Sequence, residues 1–372
     1  MKLTATRAAL MSALVPAVAV TSSRSAHPFG ACVLFAAEDG GITIRSSSMV
    51  ASVRSTCLAS VEKKGSVALP AEELLDRVKK IGEGPISISI AKDKFTIKAG
   101  SQVYTLRTLS PDSFPAHPVA HDQYQPVNPK ALASVLASTT YSCGDESMKV
   151  EFQGVVLTAV DGLLTATGSN RQRFARAWAK SDGLTLSTFL PAKAIEVLLS
   201  APSDEVDVAA TDRAVSFRLK ADTATIELAY SVPEIGALPY DAMFARFSSD
   251  VGPNVSRKEL LAALRAVTPD GTSGSVPVVL RCSGGTLHLS HVSLDGDEST
   301  DELGVDGDHT WTVIAEARYL LDAVGKATGD EVRLCVGGDV QPLVLRGTDW
   351  TSMIAPIDPA QCKRPVAVKE AA

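Results

Sequence analysis

Phe152–Trp178 reads FQGVVLTAVDGLLTATGSNRQRFARAW. Val156, Leu157, Val160, Leu163 and Leu164 flank Asp161-Gly162, a dipeptide whose backbone preferences suit a two-residue hairpin, so two strands meeting at a tight turn are predicted. The second strand runs into a polar, cationic segment, Ser169-Asn170-Arg171-Gln172-Arg173, and then Phe174. The same pattern occurs once earlier and once later. The three hairpins VLFAAEDGGITIRS, VVLTAVDGLLTATG and VVLRCSGGTLHLSH place turn glycines at Gly40, Gly162 and Gly285, at intervals of 122 and 123 residues. A short helix with apolar residues at i and i+4 precedes each hairpin (Leu10/Leu14, Leu132/Leu136, Leu260/Leu264). A second helix follows each one, LPAEELLDRVKKI from Leu69, LPAKAIEVLLSA from Leu190 and IAEARYLLDAVGKA from Ile314, with Pro70 and Pro191 suited to a first helical turn. Three alternating strands come next in every copy. Four features in one order at one period make an internal repeat. The expected fold is α+β, in three domains at 1–122, 123–247 and 248–372, with joints near PAHPVAHDQYQP and FARFSSDVGP.

The 372 residues suffice for two or three domains, each with its own core. Aromatic residues make up only 5% of the chain, so those cores are expected to be Val, Leu, Ile and Ala. A net charge of -6 argues against a uniformly positive coat for nucleic acid, but allows charge segregated onto separate faces. Six cysteines (Cys32, Cys57, Cys143, Cys282, Cys335, Cys362) form no C-x-x-C pair and are read as free thiols in a reducing compartment. At the N-terminus, Lys2 and Arg7 followed by AALMSALVPAVAV allow either a secretory signal or a strand, Lys2 to Thr6, leading into a helix from Ala8. The two later copies of that helix favour the second reading. No run is long enough for a transmembrane helix. The histidines form no H-E-x-x-H, and no G-x-S-x-G, P-loop or dinucleotide fingerprint occurs, which points away from an enzyme. The acidic run Asp295 to Leu303 lacks the sixth-position glycine and final glutamate of an EF-hand, so neither a metal nor a cofactor is expected.

Taken together, several segments resemble the bacterial DNA sliding clamp, the β subunit of the replicative DNA polymerase III. They are MKLTATRAAL, Arg24 with Pro28, GSVALPAEELLDRVKK, YTLRTLSPDSFP, the hairpin at 155–167 with RFA after it, LPAKAIEVLL, LPYDAMF and the late MIAPI. The resemblance runs nearly end to end. It implies a cytoplasmic homodimer, closed head to tail into a ring that encircles double-stranded DNA without reading its sequence. It also implies that the replicative polymerase and the clamp loader dock through short linear peptides, and that the clamp itself does no catalysis and does not engage a membrane.

The resemblance assigns a partner-peptide pocket to Phe152, Ser169, Arg171, Gln172, Arg173, Phe174, Pro239, Met243, Phe244, Met353, Ala355, Pro356 and Ile357. Six of these, Phe152, Phe174, Met243, Phe244, Met353 and Ile357, could form an apolar groove for leucine or phenylalanine anchors; equally, they could simply seal a domain joint. The resemblance assigns a DNA contact to Arg24, with Lys149 as a further candidate, and the ring interface to Tyr104 and Leu106 on a late strand of the first domain. The usual T-D-x-x-R-L-A becomes Ser169-Asn170-x-x-Arg173-Phe174-Ala175, Met243 stands where Arg is frequent, and Asp358 follows Ile357 in place of a basic ending. These departures imply a pocket less cationic near its mouth. They also keep open a divergent paralogue or phage-type clamp with restricted partners, and a ring or scaffold protein that does not encircle DNA.

Overall fold

The computed structural model describes residues 1–22, 27–48, 51–91, 93–116, 123–201, 203–221, 223–236, 238–247, 250–269, 274–293, 295–337 and 341–361. Seven α-helices lie in these segments: α1 Arg7–Ala19, α2 Ala71–Lys79, α3 Pro129–Ala137, α4 Ala192–Ser200, α5 Tyr240–Arg246, α6 Arg257–Val267 and α7 Ala317–Lys326. Helices α1, α3 and α6 are the first helices of the three repeats, and each is started by a side chain. Thr6 Oγ1 accepts from the Ala9 amide (3.2 Å), Asn128 Oδ1 from Lys130 (3.0 Å) and Ala131 (3.1 Å), and Ser256 Oγ from Glu259 (3.4 Å). Their leucine pairs at i and i+4 are all at most 3% exposed, as the periodicity predicts. The N-terminal stretch is likewise folded: Lys2–Thr6 is a strand, and Leu10, Ala13, Leu14 and Ala17 of α1 are buried.

The second helices begin later than the sequence suggests. Leu69-Pro70 and Leu190-Pro191 close the strands Gly65–Pro70 and Leu186–Pro191, and Ile314 lies inside Trp311–Glu316. The prolines therefore stand at the N-cap, not in the first turn. A proline donates no backbone hydrogen bond, so it can end a strand and precede a helix at little cost. The hairpin turns behave as read: Asp161 (φ 52°) and Gly162 (φ 76°) are both left-handed, as a primed two-residue turn requires.

The chain divides into two compact units. The first comprises Met1–Ala133, Thr158–Gly162 and Ser181–Glu234, and the second Ser134–Leu157, Leu163–Lys180 and Ile235–Ala372. In the first, a five-stranded sheet runs Ser60–Lys63, Lys2–Thr6, Pro85–Ala91, Lys94–Ala99, Gln102–Arg107. A larger sheet crosses the repeat boundary, because Ala51–Leu58, which follows the first hairpin, pairs antiparallel with Ala224–Ser231, the last strand of the second repeat. α1 packs on this sheet and against α2 and α4.

The second unit uses the same device. Arg173–Lys180, which follows the second hairpin, pairs with Trp350–Ile354, the last strand of the third repeat. Leu343–Arg346, Glu331–Val336 and Asn254–Ser256 continue the sheet beyond it. A four-stranded sheet runs Glu298–Gly304, Thr286–Val292, Pro277–Ser283, Trp311–Glu316. Trp350 is fully buried, and its indole Nε1 donates to the Ser138 carbonyl at 2.9 Å, tying the segment after α3 to the sheet. Trp350→Phe keeps an aromatic ring but orphans that carbonyl. Urea unfolding followed by circular dichroism is expected to show a loss of about 1–3 kcal/mol at unchanged slope.

Candidate functional site

The Ser169–Phe174 segment is a strand end, a three-residue loop and a strand start. Ser169 closes Leu163–Ser169 opposite Phe174, which is the second residue of Arg173–Lys180. Asn170 Oδ1 accepts from the amides of Gln172 (3.1 Å) and Arg173 (2.9 Å), and Ser169 Oγ accepts from the Arg171 amide (3.0 Å). Short oxygen-bearing side chains thus satisfy the loop's own donors, a turn-forming role that Ser and Asn fill well. Arg171 sits at φ 75°, one of two non-glycine residues among those described in the left-handed region.

Arg173 is the electrostatic centre. It is only 5% exposed, and one guanidinium nitrogen lies 2.6 Å from Asp322 Oδ2. Its charge also lies over the rings of Tyr319 (4.5 Å to the centroid) and Tyr141 (5.4 Å). Tyr319 and Asp322 are three residues apart on α7 and so share a face. The Tyr319 hydroxyl donates to Gln172 Oε1 at 2.6 Å and accepts from Asn170 Nδ2 at 3.4 Å, fixing the loop against the helix. A groove of about 920 Å³ opens here, walled by the 170–173 loop, Arg318, Tyr319 and Asp322 of α7, and residues 141–148. Burial raises the Tyr141 hydroxyl well above its ordinary range, and Arg173 only partly opposes this. Burial also pushes the Cys143 thiol up to about 12, against the pull of Arg173, while Sγ donates to the Gly154 carbonyl.

The following residue faces an apolar cluster, because successive strand residues point to opposite sides of a sheet. Phe174 stands opposite Met353 in the ladder, and Phe174, Phe244 and Phe247 pack against Cys335, Val344 and Met353. Tyr240 meets Phe174 edge to face at 5.9 Å. The Arg176 guanidinium covers the Phe244 ring at 4.3 Å while bonding Asp241 at 2.6 Å, which holds α5 over the strand.

Of the six apolar residues expected to line one groove, the cluster therefore unites Phe174, Phe244 and Met353. Phe152, Met243 and Ile357 are half-buried and stand outside it. Ile357 instead donates its amide to the Ile314 carbonyl (2.8 Å), and Phe152 accepts from Gly144 (2.7 Å). Pro239 caps α5 and is exposed, as is Ala355, whose amide reaches the Gln172 carbonyl at 2.8 Å; Pro356 is half-buried. Tyr141, Tyr240, Arg318, Tyr319, Asp322, Val344 and Phe247 were not legible as site residues. Only the i, i+3 spacing of Tyr319 and Asp322 offered a signal, and nothing linked it to Arg173.

Arg24 lies outside the described residues. Lys149 has an 80% exposed side chain, 3.9 Å from Glu151. Gln102–Arg107 is a sheet edge, as expected of an interface strand, but Leu106 is 2% exposed and belongs to its own core. Tyr104 is half-buried beneath the Arg77 guanidinium at 5.7 Å. The outward side chains of this edge are Val103, Thr105 and Arg107.

Two outcomes follow from the Arg173 environment. Asp322→Asn leaves a buried guanidinium without its counter-charge and should cost about 2 kcal/mol in urea unfolding. Cys143, protonated throughout the neutral range, should alkylate with iodoacetamide at pH 8 far more slowly than a free cysteine, as read by peptide mass spectrometry.

Residues 1–118 match the family described as DNA polymerase III beta subunit, N-terminal domain. Among curated proteins, the beta sliding clamp of Synechocystis is 26% identical over 398 residues, covering 96% of this chain and 99% of that one. The beta sliding clamp of Halalkalibacterium halodurans is 24% identical over 352 residues, covering 88% and 91%. The fold also matches solved structures. The DNA polymerase III beta subunit of Thermotoga maritima superposes with a TM-score of 0.84 at 20% identity, over 96% of this chain and 99% of that one. The sliding clamp of Bacillus subtilis gives 0.79 at 20% identity over the same shares. With its repeated helix–hairpin–helix units and cross-repeat sheets, the chain has the fold of the bacterial DNA sliding clamps and is similar to them along nearly its whole length, and its first 118 residues match the N-terminal domain of the DNA polymerase III beta subunit.

Proposed function

We propose that the chain is a non-catalytic DNA sliding clamp: a homodimeric ring of three-domain protomers (1–122, 123–247, 248–372) that encircles duplex DNA and tethers the replicative polymerase. Two unused sheet edges carry this reading. Within each unit, a strand that follows a hairpin is paired by the last strand of the next repeat. The series leaves two such strands over: Gln102–Arg107, the last strand of the first repeat, and Glu298–Gly304, which follows the third hairpin. Both end their sheets. Pairing one with the other between two chains repeats the internal joint, covers both of these edges and closes a head-to-tail dimer. Charge favours the match: Arg107 lies on one edge, with Lys94 and Lys98 on the neighbouring strand, while Glu298, Asp301 and Glu302 lie on the other.

DNA contact in such a ring falls to scattered cations. Lys79, Lys258, Arg265 and Lys326 are exposed on α2, α6 and α7 or at their ends, and Lys149 is exposed as well; Arg24 is assigned here by resemblance. Contacts of this kind neutralise phosphate, carry no base readout and weaken with salt, which suits sliding. The Phe174–Met353 cluster and the adjoining groove are assigned as the docking site for partner peptides, and the cytoplasm as the compartment; no described helix is long and apolar enough to cross a membrane.

Three measurements test this. Light scattering should give a dimer at micromolar concentration, and Glu302→Lys should shift it toward monomer. Protein loaded onto nicked circular DNA should be retained and then lost on linearisation; equal loss from circle and line would remove the topological mechanism. Phe174→Ala should weaken a polymerase-derived peptide by about thirtyfold without dissociating the dimer.

A further inference from the structure

The groove beside the apolar cluster has a charge pattern that the docking assignment leaves unexplained. Five ionised side chains line it. Arg173 and Asp322 neutralise one another. Asp145, on the opposite wall, accepts from both the amide and the hydroxyl of Ser147, which lowers its pKa and keeps it anionic. The remaining two, Arg171 and Arg318, are exposed and make no ion pair among the described residues. The groove is therefore locally cationic on a chain whose net charge is -6. The replacements at Met243 and Asp358 suggested a less cationic mouth; the cations come instead from the 170–172 loop and the first turn of α7.

Arg171 also occupies a backbone conformation that glycine adopts freely and a β-carbon disfavours. At φ 75° a non-glycine residue carries of order 1 kcal/mol of local strain. Its amide is held by Ser169 Oγ, but its side chain supports nothing in the loop. A second observation is an unmatched buried donor in the groove wall. Arg173 is 95% buried, yet its Nε has no hydrogen-bond partner among the described residues, and the residue forms part of the groove wall. Arginine presents donors in a planar fork that matches a carboxylate.

Building on the docking assignment, we propose that Arg171 and Arg318 select partner peptides carrying an aspartate or glutamate side chain next to the apolar anchor. The anchor packs at Phe174, and the carboxylate crosses the end of the sheet into the arginine-lined groove. Arg171 is then a specificity residue, retained at a position where glycine would relieve strain.

The test uses the full-length dimer and fluorescent peptides with one apolar anchor. These carry Glu or Gln at the neighbouring position, each with a free or amidated C-terminus. The Glu peptides should bind about fivefold tighter than the Gln peptides at low salt, irrespective of C-terminal amidation, and the gap should narrow as salt rises. Arg171→Gly removes the guanidinium without backbone cost. It should erase most of the gap and not lower the melting temperature; Arg171→Glu should reverse the preference. Equal binding of Glu and Gln peptides to the wild type would overturn the inference but leave docking intact. A preference that follows the free C-terminus would assign the groove to a terminal carboxylate and also overturn it. Failure of every peptide to bind would remove the docking assignment itself.

Discussion

Antiparallel pairing between Arg173–Lys180 and Trp350–Ile354 is the constraint on which the second unit depends. It joins segments separated by some of the longest sequence distances in the chain. Its register decides that Phe174 lies beside Met353 and Arg173 beside Ile354. A shift of one residue would exchange the two faces, sending a guanidinium into the apolar cluster and a phenyl ring toward Asp322. Buried Trp350, bonded to the Ser138 carbonyl, and the Ser352 hydroxyl, bonded to the Phe174 carbonyl, both hold this register. The equivalent ladder between Ala51–Leu58 and Ala224–Ser231 does the same for the first unit. In both units the last strand of one repeat covers the strand that follows the preceding repeat's hairpin.

Around the ladder, polar and apolar chemistry are kept on opposite sides of one strand. Arg173 is buried at the helix side and is stabilised by a carboxylate and two aromatic faces together. Such a cluster contributes little net stability over an apolar core, but it fixes the positions of Tyr319 and the 170–172 loop. On the other side, Arg176 shields Phe244 and ties down α5 through Asp241, so the apolar cluster is only partly open. The two arginines lie three residues apart on one strand and on its opposite faces, with the same chemistry and different tasks, set by which residues the fold brings opposite them.

Local structure was legible wherever it depended on neighbours in the chain. Leu10/Leu14, Leu132/Leu136 and Leu260/Leu264 marked the buried faces of the first helices, and Asp161-Gly162 marked a primed turn, because period and turn chemistry act over a few residues. The starts of the second helices were misplaced by two or three positions. Leu69-Pro70 and Leu190-Pro191 satisfy a strand end and a helix approach equally well, and only pairing with neighbouring strands decides between them. Leu106 was assigned to the ring interface by resemblance, and only the packing of its sheet shows that its side chain fills its own core.

The sequence by itself determined the triple repeat and the α+β class, and it marked Ser169 to Phe174 as an unusual polar, cationic segment. Periodicity, turn residues and spacing are properties of the chain read in order. Tertiary structure alone decided what that segment touches. Tyr319 and Asp322 reach Arg173, Met353 reaches Phe174, and Arg318 joins Arg171 in one groove, all across separations of well over one hundred residues. Such meetings are set by strand register and helix packing, for which no local pattern exists.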